Sequence, residues 1–145
     1  MKKRARNIFL IVLLLALTGA GIGYYLFNKG PVNVQGSNAI NIIAGDLYQA
    51  YISDSSAAQK KYTDKILLVS GEVHDISSNL QKKKIILLKG NTDGAYINCT
   101  MEENIENIHV TDKVNIQGIC SGIGEGDADL GIKGDVYLTR CYLVK

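Results

Sequence analysis

The stretch AYINCTM, residues 95–101, decides the fold because apolar and polar side chains alternate along it without a break. This period of two places successive side chains on opposite faces of a β-strand. The inward residues are Ala95, Ile97, Cys99 and Met101, and the outward residues are Tyr96, Asn98 and Thr100. The segment therefore predicts a half-buried strand of an antiparallel sheet.

Four further segments, two before this strand and two after it, have the same character. They are Lys65–His74, Lys84–Lys89, Val114–Cys120 and Val136–Val144. Polar turns rich in Ser, Asn, Asp and Gly separate them at residues 77–83, 90–94 and 121–135. Gly71, in the middle of the first strand, predicts a bulge or sharp bend of the kind a small barrel needs. The last strand has an irregularity near Thr139-Arg140.

An apolar stripe at helical spacing precedes the strands and predicts an amphipathic helix, which Ser37 or Asn38 would cap. Its members are Ile40, Ile43, Ala44, Leu47 and Tyr51. The helix is expected to resume after a break at residues 53–55 and to end at Tyr62, and one more helical turn is expected within residues 102–109.

Five strands with a helical piece between the third and the fourth are the arrangement of an OB-fold barrel. A five-stranded half-open sandwich is the alternative.

Residues 8–27 form an uncharged apolar run. At about 1.5 Å per residue, a helix of this length spans roughly 30 Å, the thickness of the hydrocarbon core of a bilayer. The basic residues before the run are Lys2, Lys3, Arg4 and Arg6, and they favour a cytoplasmic N-terminus. The fold class is therefore mainly β: a five-stranded OB-fold barrel preceded by an amphipathic helix and an N-terminal transmembrane helix.

The predicted organisation is a single-pass membrane protein with an extracytoplasmic (periplasmic or extracellular) domain. Residues 1–7 are the cytoplasmic basic flank, 8–27 the anchor, 28–36 a linker, and 37–145 the helix and barrel. The alternative is a cleaved signal peptide, with Thr18 and Ala20 as the small residues before the cut. Gly19 and Gly23 form a GxxxG pair that favours a dimer, although small residues are also common in membrane helices that do not pair.

The net charge of the domain differs in sign from that of the whole chain. The chain has 16 Lys and Arg against 14 Asp and Glu, but four of the 16 precede the apolar run, which leaves 12 basic residues and a net charge of −2. A domain of this charge is not typical of a general polyanion binder.

Five short stretches carry a family resemblance: LYQAY (47–51), AAQKKY (57–62), VSGEV (69–73), VNIQGICSG (114–122) and DVYLTRC (135–141). Together they resemble the tRNA-anticodon-binding-like (tRNA_anti-like) OB-fold family of small bacterial proteins. In many members of this family the domain follows a signal peptide or a membrane anchor. The resemblance covers residues 40–144 and implies the fold, and it brings no catalytic residues with it. Thr111-Asp112-Lys113 stands where the family usually has a glycine turn before the fourth strand.

No catalytic constellation or cofactor motif occurs, so we expect the chain not to be an enzyme and to need no cofactor. His74 and His109 stand apart from any Cys, Ser or carboxylate at the spacing of a triad or metal site. Glu125, Asp127 and Asp129 alternate in a glycine-rich loop, but the sixth and twelfth positions of an EF-hand template hold Leu130 and Val136. This departure favours a solvated loop over a calcium site.

Cys99, Cys120 and Cys141 lie on predicted strands without the CxxC spacing of a zinc site. In an OB-fold the third and fifth strands are neighbours, so Cys99 and Cys141 are candidates for a disulfide in an exported domain. Hairpin pairing places Cys120 far from Cys141. The alternative is that all three are small buried apolar residues.

An OB-fold presents its ligand surface on the outer face of the second and third strands, between the first–second and fourth–fifth loops. In this chain that surface holds Lys82, Lys84, Tyr96, Asn98 and Thr100. A tyrosine beside neutral hydrogen-bonding groups favours a protein, peptide or glycan partner, and hence a non-enzymatic binding or assembly module of the cell envelope. The alternative is a nucleic-acid-binding OB-fold protein, for which Tyr96 would stack on a base.

Overall fold

The structure is a computed structural model that describes residues 14–25, 34–127 and 129–144. The chain divides into two compact units, residues 1–32 and 33–145. In the first unit residues 14–25 form helix α1, in which the Thr18 hydroxyl lies 3.0 Å from the Leu14 carbonyl oxygen and 2.9 Å from that of Leu15. The predicted anchor, residues 8–27, extends past the described residues at both ends, and the basic flank 1–7 lies outside them.

No helix within the described ranges is both long enough and apolar enough to cross a membrane.

The described part of the second unit contains two helices and six strands. In chain order they are β1 Ile40–Ile43, α2 Ala44–Ser53, α3 Ser55–Tyr62, β2 Ile66–Ser78, β3 Lys84–Lys89, β4 Tyr96–Met101, β5 Lys113–Ile123 and β6 Val136–Val144. β2, β3, β4, β6 and β5 follow one another around a barrel, which closes because β5 also pairs with β2. β4 and β6 run parallel, and the other neighbouring strands of the barrel are antiparallel. The predicted five-stranded OB-like barrel is therefore confirmed, and its closure excludes the half-open sandwich.

β2 closes the barrel by changing partners along its length. Residues 66–72 pair with β5, and residues 73–78 pair with β3 with a bulge between Val73 and Asp75. The predicted bulge thus exists, but after Gly71 and not at it. Gly71 is required by close packing, since a Cβ there would lie 2.9 Å from the Ala44 Cβ and 3.2 Å from the Leu88 Cβ. The predicted irregularity of β6 is at Arg140, whose φ is 51° where β6 shifts register.

The interior of the barrel is filled by the alternate side chains of each strand. All four inward residues of the AYINCTM stretch are at most 1% exposed. They pack with Leu67, Val69, Val73, Ile86, Leu88, Ile116, Cys120, Leu138 and Cys141, which are equally buried. Burying an aliphatic side chain of this size stabilises a fold by about 1.5–3 kcal/mol, so this set holds the barrel together.

The helix before the barrel begins later than the sequence predicts. Residues 40–43 form β1, which runs parallel to β2 with Ile40 opposite Leu67 and Ile42 opposite Val69. Ile40 and Ile43 are 38% and 60% exposed, so they are not part of a buried helical stripe. α2 starts at Ala44 and buries Leu47, Tyr48 and Tyr51. The predicted break at residues 53–55 is confirmed, because the Asp54 side chain accepts the Ala57 N–H at 2.9 Å and caps α3.

The predicted helical turn within residues 102–109 is absent from this described segment, which is irregular. Its end is held to β2 instead, since Thr111 donates its N–H to the Val73 carbonyl at 2.8 Å and the Val73 N–H returns to the Asp112 carbonyl at 2.9 Å. Thr111 takes a φ of 78°, which is the left-handed conformation that glycine adopts most easily. The turn therefore keeps a glycine-like geometry with a threonine in it.

The described end of the predicted linker is attached to the barrel. Val34 is 2% exposed. The Gln117 side-chain amide on β5 donates to the backbone carbonyls of Val34 at 2.7 Å and Ser37 at 3.2 Å. The rest of the predicted linker, residues 28–33, lies outside the described residues.

Candidate ligand-binding face

The outer face of β3 and β4 is built by the same alternation that fills the core. Ile86 and Leu88 point inward on β3, which turns Ile85 and Leu87 outward, where they are half-buried. In the β3–β4 register Ile85 is opposite Thr100, Leu87 is opposite Asn98, and Lys89 is opposite Tyr96. The predicted outward residues Tyr96, Asn98 and Thr100 therefore lie in one row, each half-buried. β6 extends the face, because the exposed Tyr137 is the partner of Asn98 on its other side.

His74 joins this face, which the sequence did not predict. Its imidazole stacks on the Tyr96 ring with a centroid distance of 4.5 Å and an interplanar angle of 20°. Stacked aromatic pairs of this spacing are favourable by about 0.5–1.5 kcal/mol beyond the area they bury. The pair borders a small cavity of about 90 Å³, whose wall includes Thr92 and Asp93 of the β3–β4 turn. His74 faces outward because it continues the alternation of β2 past the buried Val73, and it is the extra residue of the bulge between Val73 and Asp75.

The lysines at the other end of the face are only partly free to attract an anion. Lys83 pairs with Glu102, its Nζ 2.9 Å from each carboxylate oxygen. Lys82 is exposed in the β2–β3 turn with a φ of 62°, and Lys84 is half-buried at the start of β3. Asn79 fixes this turn by accepting the backbone N–H groups of Gln81 and Lys83 on its side-chain oxygen.

Lys89, beside Tyr96, is also paired. It donates to Glu72 on β2 at 2.5 Å. This hydrogen bond, together with the charges of Lys89 and Lys113, lowers the pKa of the Glu72 carboxyl below its usual range. The face therefore combines an aromatic pair with largely compensated charge.

Asp135 connects the β5–β6 loop to β4 of the ligand-binding face. Its carboxylate accepts the backbone N–H of Tyr96, while burial raises the pKa of the group. Burial, and then the charge of Asp135, raise the pKa of the Tyr48 hydroxyl on α2. Among the described residues this hydroxyl is the buried side-chain oxygen that has no hydrogen-bond partner. Lys133 adds a second link by donating to the Asp93 carbonyl at 2.9 Å.

One acidic residue of the same loop, Asp127, stabilises the loop itself. The Asp127 carboxylate accepts the backbone N–H groups of Asp129 and Leu130 at 3.0 and 3.1 Å. The described residues contain no group of three or more His, Cys, Asp or Glu side chains that is arranged to hold a metal ion.

The three cysteines are free thiols in one core. Cys99 and Cys141 are hydrogen-bonded to each other, as expected for side chains on neighbouring strands, and this contact and burial raise the pKa of Cys141. Gly118 leaves room for the Cys141 thiol, since a Cβ there would lie 2.6 Å from its Sγ. Cys120 lies within β5 and not at the end of the strand as predicted, and its register partner is Leu138 and not Cys141. The Tyr51 hydroxyl lies 3.3 Å from the Cys120 Sγ, and burial raises the pKa of this thiol.

A closed five-stranded barrel with an aromatic outer face between two loops defines the class of this protein as an OB-fold domain. The tRNA_anti-like family matches residues 1–129, and the chain belongs to that family. None of the curated proteins matches the chain in sequence.

Among solved structures the chain is similar to one described as an aspartyl-tRNA synthetase from Leishmania major Friedlin, with 12% identity and a TM-score of 0.43. The match covers 80% of this chain but 23% of that one. A likeness of this size says nothing about the ligand.

Proposed function

We propose that the chain is a non-enzymatic binding module of the cell envelope. In this proposal an N-terminal transmembrane helix holds the domain at the membrane, and the outer face of β3 and β4 binds a protein, peptide or glycan. The observation that carries the proposal is the stacked pair of His74 and Tyr96 on the outside of the barrel. His74 is exposed and Tyr96 is half-buried, and such a pair provides a flat surface with polar edges, which suits a sugar ring or a peptide side chain.

The groups around the pair supply neutral hydrogen bonds. Asn98 and Thr100 follow Tyr96 on the outward side of β4, and Thr92 lines the same small cavity as Tyr96. An amide both donates and accepts, and so does a hydroxyl, which matches the hydroxyls of a glycan or the backbone of a peptide. Lys83 and Lys89 are paired with carboxylates, which weakens the cationic surface that a phosphate backbone would call for.

Binding is best tested with the full chain in detergent against defined probes. The probes are an array of bacterial envelope oligosaccharides and a library of short random peptides. The face variant is Tyr96→Ala with Asn98→Ala, and the matched control is Gln59→Ala with Lys60→Ala on the exposed side of α3. We expect the probes bound by the wild-type chain to be lost with the face variant and kept with the control.

A role for the stack itself is tested by His74. We expect His74→Ala to weaken binding by about 0.5–1.5 kcal/mol and His74→Phe to restore most of it, because the phenyl ring can stack in the same place. Binding that survives in the face variant would place the ligand elsewhere. Binding of oligonucleotides, with an affinity that falls steeply with salt, would favour the nucleic-acid alternative.

A further inference from the structure

β1 presents an unpaired edge on the surface of the domain. It pairs with β2 on one side, and no described residue makes a backbone hydrogen bond to its other side. The free N–H and C=O groups of a strand edge are complemented by another extended backbone, which offers donors and acceptors at the same spacing. The chemistry of the edge thus specifies an extended polypeptide as its occupant.

The sequence of β1 does not protect this edge. Exposed strand edges are usually blunted by lysine, proline or a bulge, and the four residues Ile-Asn-Ile-Ile have none of these. Ile43 is 60% exposed and Ile40 is 38% exposed, which is unusual for isoleucine on a strand. The shortness of β1 limits the number of backbone hydrogen bonds that it can offer.

Two spaces meet at Ile43 and Ser70, and they suit the side chains of an added strand. One is a groove of about 430 Å³ between Ile43 and the Ser70–Asn115 hydrogen bond of the barrel wall. The other, of about 510 Å³, is lined by Asn41, Ile42 and Tyr62. Successive side chains of a strand point to opposite faces, so every second side chain of an added strand would face the side on which it meets these spaces.

The larger of the two spaces has one charged side chain among its lining residues, and that charge is negative. Asp46 lines the larger space from the first turn of α2, is exposed, and has no ion pair among the described residues. The other space is lined by one acidic and one basic residue, Glu72 and Lys113, so its charges balance. A basic side chain on the occupant would therefore find its complement at Asp46.

We propose that the free edge of β1 binds an extended segment of a partner polypeptide, which adds as a strand with apolar side chains against Ile43 and a basic side chain toward Asp46. This site is separate from the ligand-binding face of β3 and β4, and it does not depend on the function proposed for that face.

The probe is a phage-displayed library of random heptapeptides, selected against the full chain in detergent. The test variant is Ile43→Lys, which places a charge at the edge without touching the core. The matched control is Ile52→Lys on α2, where the isoleucine is 58% exposed. We expect the wild-type chain and the control to enrich peptides that alternate apolar residues and contain Lys or Arg, and Ile43→Lys to weaken their binding by about tenfold or more. Asp46→Asn should remove the preference for a basic residue and keep the preference for apolar ones.

Three results would overturn the proposal. One is equal binding by Ile43→Lys and Ile52→Lys at unchanged melting temperatures. Another is a wild-type dimer in sedimentation that Ile43→Lys converts to a monomer, because a second copy would then cover the edge. The third is slow hydrogen exchange at all the β1 amides of the free chain, which would mean that another part of the chain already pairs with this edge.

Discussion

Among single residues, Gly71 shows a glycine that is fixed by packing and not by backbone conformation. It is not among the glycines with positive φ, and a Cβ there would lie 2.9 Å from that of Ala44. We expect Gly71→Ala to destabilise the barrel by about 1–3 kcal/mol through overpacking, and Gly71→Val to cost more. The measurement is the urea midpoint at constant m-value.

Ala44→Gly provides the control for this prediction, because it removes the Cβ that blocks the site. The double variant should recover part of the stability lost in Gly71→Ala. Strictly additive losses in the two single variants would contradict the packing explanation.

Asp135 connects the stability of the domain to pH. Burial raises the pKa of its carboxyl, so ionisation destabilises the folded state relative to the unfolded chain. The contribution of the protonated carboxyl to the stability of the fold is complete below the unfolded pKa of about 3.9. It is lost as pH rises through the higher pKa of the folded state. We expect Asp135→Asn, which still accepts the Tyr96 N–H, to be more stable than wild type at pH 7 and to change less between acidic and neutral pH.

Denaturation curves at several pH values test this prediction. Asp93→Asn changes an exposed carboxylate on the neighbouring turn and serves as the control. A wild-type chain that loses no more stability than Asp135→Asn over this pH range would show that burial of Asp135 has no energetic effect.

The Cys99 and Cys141 thiols are placed to form the predicted disulfide if the domain is exported. Oxidation by a thiol–disulfide oxidoreductase would join the two sulfurs, and two protons and two electrons would leave to the oxidant. We expect mass spectrometry of protein isolated from native membranes to show a Cys99–Cys141 bond, and Cys120→Ser to retain it. Three free thiols in this material would support buried apolar cysteines instead.

Among the elements, α2 closes one side of the core with a narrow buried stripe. Leu47 is 0% exposed and Ile52, on the same helix, is 58% exposed. We expect Leu47→Ala to destabilise the domain by about 2–5 kcal/mol, as large-to-small substitutions in cores do, and Ile52→Ala to change it little. Thermal unfolding of both variants checks the prediction, and similar losses in the two would mean that α2 packs differently.

The sequence predicted the barrel strands well because their signal is local. In β4 the buried set fixes the alternation, and the outward positions of Tyr96, Asn98 and Thr100 follow from it. β1 was missed because Ile40, Ile43, Ala44 and Leu47 have helical spacing even though only the last two are buried. Pairing with β2, a contact distant in sequence, decides the conformation there.

The candidate site was predicted only in part, for a similar reason. Tyr96 could be placed on the outer face from its own strand, and the alternation of β2 turns His74 outward as well, but the contact between the two rings could not be predicted. The contact depends on where β2 leaves β5 and joins β3, and on the bulge beside His74 that sets the register there. The alternation of side chains within β2 does not reveal where the strand changes its neighbour.

At the scale of the whole molecule, the distribution of charge separates the N-terminus from the domain. Four of the 16 basic residues lie within the first six positions, and the part after the apolar run has a net charge of −2. In the proposed anchor this distribution of charge favours a cytoplasmic N-terminus. The same asymmetry explains how a chain with a basic pI of about 8.4 can present a domain with no excess of positive charge.

The proposed membrane anchor can be tested on the full chain. We expect a C-terminal alkaline phosphatase fusion to be active, because that enzyme works only outside the cytoplasm, and the chain to resist extraction with carbonate. Replacing Leu14 and Leu17 with arginine should release it, since each arginine at the centre of a span costs about 2.5–3.5 kcal/mol on insertion scales. The matched control is the same pair replaced with isoleucine, which should stay in the membrane. A soluble product that begins near Gly21 would show a cleaved signal peptide in place of the anchor, and an inactive fusion would place the domain inside the cell.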